Sequence, residues 1–262
     1  MLGAIIGDVV GSRFEFNNIK TKEFEMFAKE SRFTDDTVLT IAVADWALNA
    51  NNLEDEKEAA KFLQKWARKY PNAGFGGSFY FWKDADDPKP YNSCGNGSAM
   101  RISAVPHLFD DEEQMLKACR TITKVTHNHP EGMKGAEVVA EMIYKARFGA
   151  TREELKEYAI SQYPEIAKLD YDELVRTYTH GAEICQLSVP QALYCFLIST
   201  DFEDCIRTIM SIGGDCDTTG AMAGAIAEAF YKDIPEYMID KTIDRLPSDM
   251  LDILAQEYPY KD

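Results

Sequence analysis

The sequence predicts an all-α fold, one compact domain built around a helical core. Three observations carry this. Apolar residues recur at steps of three and four through most of the chain, the mark of helices with one buried face. Strict period-two alternation, which half-buried strands require, is hard to find anywhere. No low-complexity segment, Pro/Ser-rich linker or fixed-period repeat divides the chain, so residues 1–262 are read as a single domain.

The elements follow in order. In the first helix Gly3, Gly7 and Gly11 lie four apart among apolar residues, and Gly220 and Gly224 repeat the spacing among alanines. Glycine costs a helix about 1 kcal/mol relative to alanine, but on one face it lets a second helix come close. Two small-residue helices are therefore expected to pack together with their ends side by side; direct contact of these glycines with a ligand is the alternative. Thr37–Leu48 and Glu56–Tyr70 come next, the second mixing charges with Ala59, Ala60, Phe62, Leu63, Trp66 and Ala67. Two irregular stretches follow, the glycine-rich Asn72–Ser78 and Lys83–Gly97 with its two prolines, Pro88 and Pro90. Loops of this length inside a compact domain often carry function. Gly95-Asn96-Gly97-Ser98 opens a helix predicted to run through Met100, Ile102 and Val105. Glu112–Val125, Glu131–Phe148, Val189–Ser199, Phe202–Ile212, Thr219–Tyr231 and Ser248–Gln256 complete the set.

Composition narrows the function. With 28 Lys and Arg against 44 Asp and Glu, the formal charge is −16, which argues against binding nucleic acid or anionic membrane by bulk charge. A local pocket for one phosphorylated small molecule remains allowed. The cysteines at 94, 119, 185, 195, 205 and 216 form no Cys-x-x-Cys pair, so zinc-ribbon and thioredoxin readings fail and free thiols in a reducing cytosol are expected. The N-terminal apolar run lacks a basic flank, is interrupted by Asp8 and is too short to span a bilayer. A soluble, cytoplasmic protein without a membrane partner is the expectation, and a monomer.

Two clusters stand out. Thr34-Asp35-Asp36-Thr37 precedes one helix and Gly213-Gly214-Asp215-Cys216-Asp217-Thr218-Thr219-Gly220 precedes another. Helix capping and the macrodipole account for one Asp or hydroxyl at such a place, but not for paired carboxylates flanked by threonines. If the clusters meet, four carboxylates share one site, and such close like charges raise their pKa values or push the chain apart unless a cation neutralises them. Carboxylate and hydroxyl oxygens without His or Cys select a hard ion, Mg²⁺ or Mn²⁺ rather than zinc, and four Asp could hold two.

At this point the sequence resembles the ADP-ribosylglycohydrolases, the family of dinitrogenase reductase-activating glycohydrolase and the ADP-ribosyl-acceptor hydrolases. The resemblance covers nearly the whole chain. It rests on Gly3-Ala4-Ile5-Ile6-Gly7-Asp8, Gly11 with Glu15, and Thr34-Asp35-Asp36-Thr37. It continues through Gly95-Asn96-Gly97-Ser98-Ala99-Met100-Arg101, Thr126-His127, and Gly213-Gly214-Asp215-Cys216-Asp217-Thr218 with Gly220, Gly224 and Ala225, in the family's order. It implies an orthogonal helical bundle with a binuclear Mg²⁺ or Mn²⁺ centre at helix N-termini, held by Thr34, Asp35, Asp36, Asp215, Asp217 and Thr218. It further implies hydrolysis at ribose C1″ of an ADP-ribosylated protein or small ADP-ribose conjugate, with two ions binding the ribose hydroxyls and acidifying a water. Asp36, Glu15 or another ligand carboxylate could handle that water's proton.

The remaining motifs carry paired readings. Gly95, Asn96, Gly97 and Ser98 suit a diphosphate at a helix start, or form a plain turn capped by Ser98. Phe79-Tyr80-Phe81-Trp82 could stack an adenine or lie in the core. His127-Asn128-His129 spells a nuclease motif but lies between helices, which that fold does not allow; His127 alone is a phosphate or ribose contact, as the resemblance implies, or a structural hydrogen bond. Glu15 is a contact beside the scissile bond by resemblance, a surface carboxylate otherwise. Arginine is the expected acceptor, because a guanidine leaving group favours nearby carboxylates such as Glu15 and Asp8; serine-linked substrate or O-acetyl-ADP-ribose is the alternative. Two rivals remain. Asp215-Cys216-Asp217-Thr218-Thr219 matches the nucleophile motif of haloacid-dehalogenase-type phosphatases, but a helix, not a buried strand, precedes it and only a short stretch follows. A non-enzymatic protein of the same fold is the other, although such a protein is expected to lose ligands and all six positions are present.

Overall fold

The computed structural model describes residues 1–179, 181 and 183–257, and the regular elements among them are helices. In chain order these are α1 (Leu2–Gly11), α2 (Asp35–Asn49), α3 (Glu56–Lys69), α4 (Gly77–Trp82), α5 (Gly97–Met100), α6 (Ala104–Leu108), α7 (Glu112–Lys124), α8 (Pro130–Arg147), α9 (Arg152–Gln162), α10 (Tyr171–Thr177), α11 (Cys185–Ile198), α12 (Phe202–Ile212), α13 (Cys216–Tyr231), α14 (Glu236–Ile243) and α15 (Ser248–Glu257). Among the described residues the only strand-like pairing is one antiparallel bridge, Gly95 to Ile184. No described helix is long and apolar enough to cross a membrane.

The axis of the molecule is the pair α1–α13. Every residue of α1 from Gly3 to Gly11 is buried, as is α13 from Cys216 to Ala227. The glycines make this possible: a Cβ on Gly7 would lie 2.1 Å from the Gly220 carbonyl oxygen, and one on Gly3 would lie 2.3 Å from that of Gly224. Backbone touches backbone, so the close-packing reading of the two glycine stripes holds. The helices α8, α11 and α12 pack around α13, and α2 packs against α1 and α3. Trp46, Phe196, Phe202 and Leu63 are fully buried between these layers.

Helix starts follow local chemistry. Asp55, Asp111, Asp170 and Asp201 accept first-turn amides at the starts of α3, α7, α10 and α12, satisfying donors that no carbonyl can reach. Three differences from the sequence reading stand out. The helix expected from Ser98 through Val105 is two short helices, broken at Arg101–Ser103. The last residues of the glycine-rich stretch, Gly77 and Ser78, belong to α4. And α9, α10 and α14 were not anticipated, because each buries so little: Leu155 and Ala159 in α9, Leu174 in α10, Met238 and Thr242 in α14. All six cysteines are free thiols.

Candidate metal centre and active site

The close pairing of α1 with α13 brings the last turn of α1 beside the first turns of α2 and α13. Asp8, buried in α1, reaches across to α2. It accepts the Thr34 amide at 2.9 Å, the Thr34 hydroxyl at 2.7 Å, the Thr37 amide at 3.0 Å and the Thr37 hydroxyl. One carboxylate thus caps another helix and fixes where its first turn points. That turn carries Asp36, whose Oδ2 accepts the Thr218 hydroxyl at 3.2 Å from α13. Its other oxygen, Oδ1, is buried with no hydrogen-bond partner among the described residues.

The approach to α13 is set by a turn only glycine makes easily. Gly213 and Gly214 have φ of +80° and +77°, and a Cβ on Gly214 would lie 2.3 Å from the Tyr178 ring. Asn18 clasps this turn, donating to the Gly214 carbonyl at 2.9 Å and accepting its amide at 2.9 Å. The chain then presents Asp215, held by the Asn96 side-chain amide at 2.7 Å, and Asp217, which accepts the Thr218 amide at 3.0 Å.

The carboxylates gather into two linked trios. Asp8, Asp36 and Asp217 each offer an oxygen within 4.8 Å of the other two, and so do Glu15, Asp215 and Asp217. Asp217 belongs to both. Burial, with the surrounding carboxylates adding to it, pushes the Asp36 and Asp217 carboxyls well above the usual range. Burial also raises Asp8, against the pull of its Thr34 and Thr37 hydrogen bonds. Asp35 is pushed up to about 8, by burial first and then by Asp8, Asp215 and Glu15. Such a group of oxygens fits hard divalent cations: neither trio contains His or Cys, Asp36 Oδ1 lacks a partner, and a cation removes the repulsion.

A cavity of about 270 Å³ opens over the carboxylates. Glu15, Asp35, Asp36, Asp215, Asp217 and Thr218 line one side of it. Another wall is the Gly74–Phe79 segment, turned by Gly74 at φ +110°. A third is the Gly95–Gly97 loop with Met100, Arg101 and His127. The loop is tied down through the bridge to Ile184 and the Asn96 amide to the Glu183 carbonyl at 3.1 Å.

Of the residues singled out from sequence, Asp35, Asp36, Asp215, Asp217, Thr218, Glu15, Gly95, Asn96, Gly97 and His127 all line this cavity. Two lie elsewhere. Thr34 gives its proton to Asp8 behind the cavity wall, and Ser98 is fully buried, donating to the Gly132 carbonyl at 2.8 Å and tying α5 to α8. Of the aromatic stretch, Phe79 lines the cavity and Trp82 is buried, while Tyr80 and Phe81 are exposed. Three participants escaped the sequence reading of site residues: Asp8 as a member of a trio, Asn18, and the buried Arg101 beside His127. An Asp inside an apolar helix was the one available signal for the first.

Comparison with known proteins gives a consistent picture. The sequence profile of the ADP-ribosylglycohydrolase family matches residues 1–260. The chain is 26% identical to "ADP-ribosylhydrolase ARH3" of Mus musculus, with 90% of this chain and 84% of that protein covered. It is 24% identical to "ADP-ribosylarginine hydrolase Tri1" of Pseudomonas putida (strain GB-1), covering 98% of this chain and 78% of that one. A solved structure titled "ADP-ribosylglycohydrolase-related protein complex" has the same fold, with a TM-score of 0.71, 23% identity and coverage of 98% of this chain and 96% of the other.

Proposed function

The chain belongs to the ADP-ribosylglycohydrolase family and is a hydrolase of glycosyl bonds, and on that premise we propose that it releases ADP-ribose from arginine side chains of modified proteins, using two Mg²⁺ or Mn²⁺ ions. The observation that carries the reading is the pair of carboxylate trios sharing Asp217 beside a cavity edged by a glycine loop. Asp36, Asp215, Asp217 and Thr218, with Asp35 beside them, would hold the ions; when bound, these supply anchoring of the ribose hydroxyls and acidification of a water.

The chain's own groups do the rest. The Gly95–Gly97 loop and His127 face the cavity where a diphosphate would lie, so binding energy far from C1″ positions the reacting carbon. Departure of the acceptor builds oxocarbenium character at C1″. Asp36 and Glu15 are carboxylates at the site able to take the proton of the attacking water, and Asp36 Oδ1 has no competing donor among the described residues. The arginine acceptor is supported by Glu15, a carboxylate at the site left outside the ion set, and by the likeness to an ADP-ribosylarginine hydrolase.

The test is a panel of arginine-linked, serine-linked and aspartate- or glutamate-linked substrates and O-acetyl-ADP-ribose, each incubated with the protein in Mg²⁺ and in EDTA. Release of ADP-ribose from the arginine-linked member, abolished by EDTA and restored by Mg²⁺ or Mn²⁺, is expected. No release from any member would sink the proposal.

A further inference from the structure

His127 lines the cavity beside the Gly95–Gly97 loop with 5% of its surface exposed. Its Nε2 faces that loop, 3.6 and 3.5 Å from where a Cβ on Gly95 or Gly97 would stand, and it has no hydrogen-bond partner among the described residues. Whether Nε2 can donate depends on which ring nitrogen carries the proton, and the answer lies on the other side of the ring.

There Nδ1 meets the Thr126 hydroxyl at 2.7 Å. The same hydroxyl oxygen accepts Arg101 Nη2 at 2.8 Å. A guanidinium only donates, so the one proton of Thr126 must go elsewhere. The Thr123 carbonyl is 3.5 Å away, too far for a good bond, and already accepts the backbone amides of His127 at 2.9 Å and Thr126 at 3.3 Å. The acceptor left is Nδ1. Because the proton of Thr126 points at Nδ1, the proton of the neutral ring sits on Nε2.

From this geometry we infer that Arg101 and Thr126 are positioning residues that lock His127 in the Nε2–H tautomer, so that it presents a neutral donor to a phosphate oxygen of ADP-ribose at the Gly95–Gly97 loop. The inference rests on the reading of this cavity as an ADP-ribose site. Both positioning groups are buried, Arg101 at 1% and Thr126 at 0% exposure, so water does not compete for the hydroxyl. Burial, reinforced by the Arg101 charge, holds the imidazole well below its usual range, which keeps the ring neutral and makes the choice of tautomer decisive. Thr126 sits directly beside His127 in the chain, and Arg101 follows α5, whose start is the glycine loop itself. The donor and the loop it serves are thus braced by one network.

The test uses the full chain labelled with ¹⁵N-histidine, with the His127 signals assigned by their loss in His127→Gln. Long-range ¹H–¹⁵N spectra of the wild type should show the Nε2–H pattern. Thr126→Val keeps the shape but removes the hydroxyl; it should shift the pattern toward Nδ1–H or a mixture. With Mg²⁺ present, that variant should bind ADP-ribose roughly tenfold more weakly by calorimetry, the worth of one hydrogen bond to a charged group. Thr126→Ser should restore both tautomer and affinity, which a purely packing role for Thr126 would not require. An Nδ1–H wild type, or a Thr126→Val protein with unchanged spectrum and affinity, overturns the inference. A wild type with the expected tautomer that binds no ADP-ribose overturns the functional reading and the phosphate ligand with it, while supporting the tautomer assignment.

Discussion

Asp217 is the residue on which the site turns, since both carboxylate trios include it and burial among like charges opposes its ionisation. Removing its charge relieves the metal-free protein, so Asp217→Asn should melt at or above the wild-type temperature in EDTA. The same change should erase the stabilisation by Mg²⁺, which for an ion binding only the native state is about 2.7 kcal/mol at a hundredfold excess over Kd. Equal Mg²⁺-induced shifts in the two proteins would exclude Asp217 as a ligand. Asp35 yields a pH dependence. Its carboxyl is raised from 3.8 to about 8, so between those values the folded state binds more proton than the unfolded chain. Its contribution to stability is therefore present in full below the ordinary carboxylate range and is lost as pH rises toward 8. Metal-free protein should melt lower at pH 8 than at about pH 5.5, and Asp35→Asn should flatten that slope. A slope unchanged by the substitution would assign the effect to other groups.

At the scale of elements, the site depends on how closely α1 approaches α13. Gly7→Ala would place a Cβ 2.1 Å from the Gly220 oxygen, and backbone cannot yield as a flexible side chain does. The variant should lose at least 1–3 kcal/mol by overpacking, and Mg²⁺ affinity should fall too, because Asp8 rides on α1 and Asp217 on α13. Denaturant melts with a Mg²⁺ titration check both; lost stability with intact metal affinity would uncouple the helix pair from the centre. This dependence was partly legible in the sequence, since glycines four apart in two segments announce close helices. So were the long helices, whose buried faces repeat several times, and the two Asp clusters, which exceed what a cap needs. Other features were not. The buried face of α9 amounts to Leu155 and Ala159, too little to stand out among charges, although its capping box of Thr151 and Glu154 marks the start. Asp8 could be seen as an odd polar residue in an apolar helix, but its purpose depends on Thr34 and Thr37 arriving from another helix. The helix start at Gly97 was legible, but not the direction of the Ser98 hydroxyl, which a tertiary contact with Gly132 decides.

The molecule as a whole carries a formal charge of −16, and its cavity concentrates that sign, with Glu15, Asp35, Asp36, Glu183, Asp215 and Asp217 on the lining against the buried Arg101. Such a cavity repels a nucleotide diphosphate unless cations enter first, so ADP-ribose and Mg²⁺ should each tighten the binding of the other. Calorimetric affinities for ADP-ribose that are equal in Mg²⁺ and EDTA would contradict this. The same field bears on the acceptor. Arginine leaves as a guanidine that is cationic once protonated, and Glu15, the carboxylate of its trio left outside the ion set, offers it a negative partner. A serine leaves as an alkoxide, which a negative partner disfavours unless a cation or an acid stands at the departing oxygen. Arginine-linked substrate should therefore turn over faster than serine-linked substrate, and the preference should depend on the carboxylate belonging to the trio but outside the helix starts. Glu15→Gln should cut turnover of the arginine-linked substrate by roughly a hundredfold, the usual worth of a positioned acid or base, with a much smaller loss of ADP-ribose affinity. Equal losses in both would mean that Glu15 only holds the ribose. Release from serine-linked but not arginine-linked protein would overturn the acceptor while leaving the carboxylate centre intact.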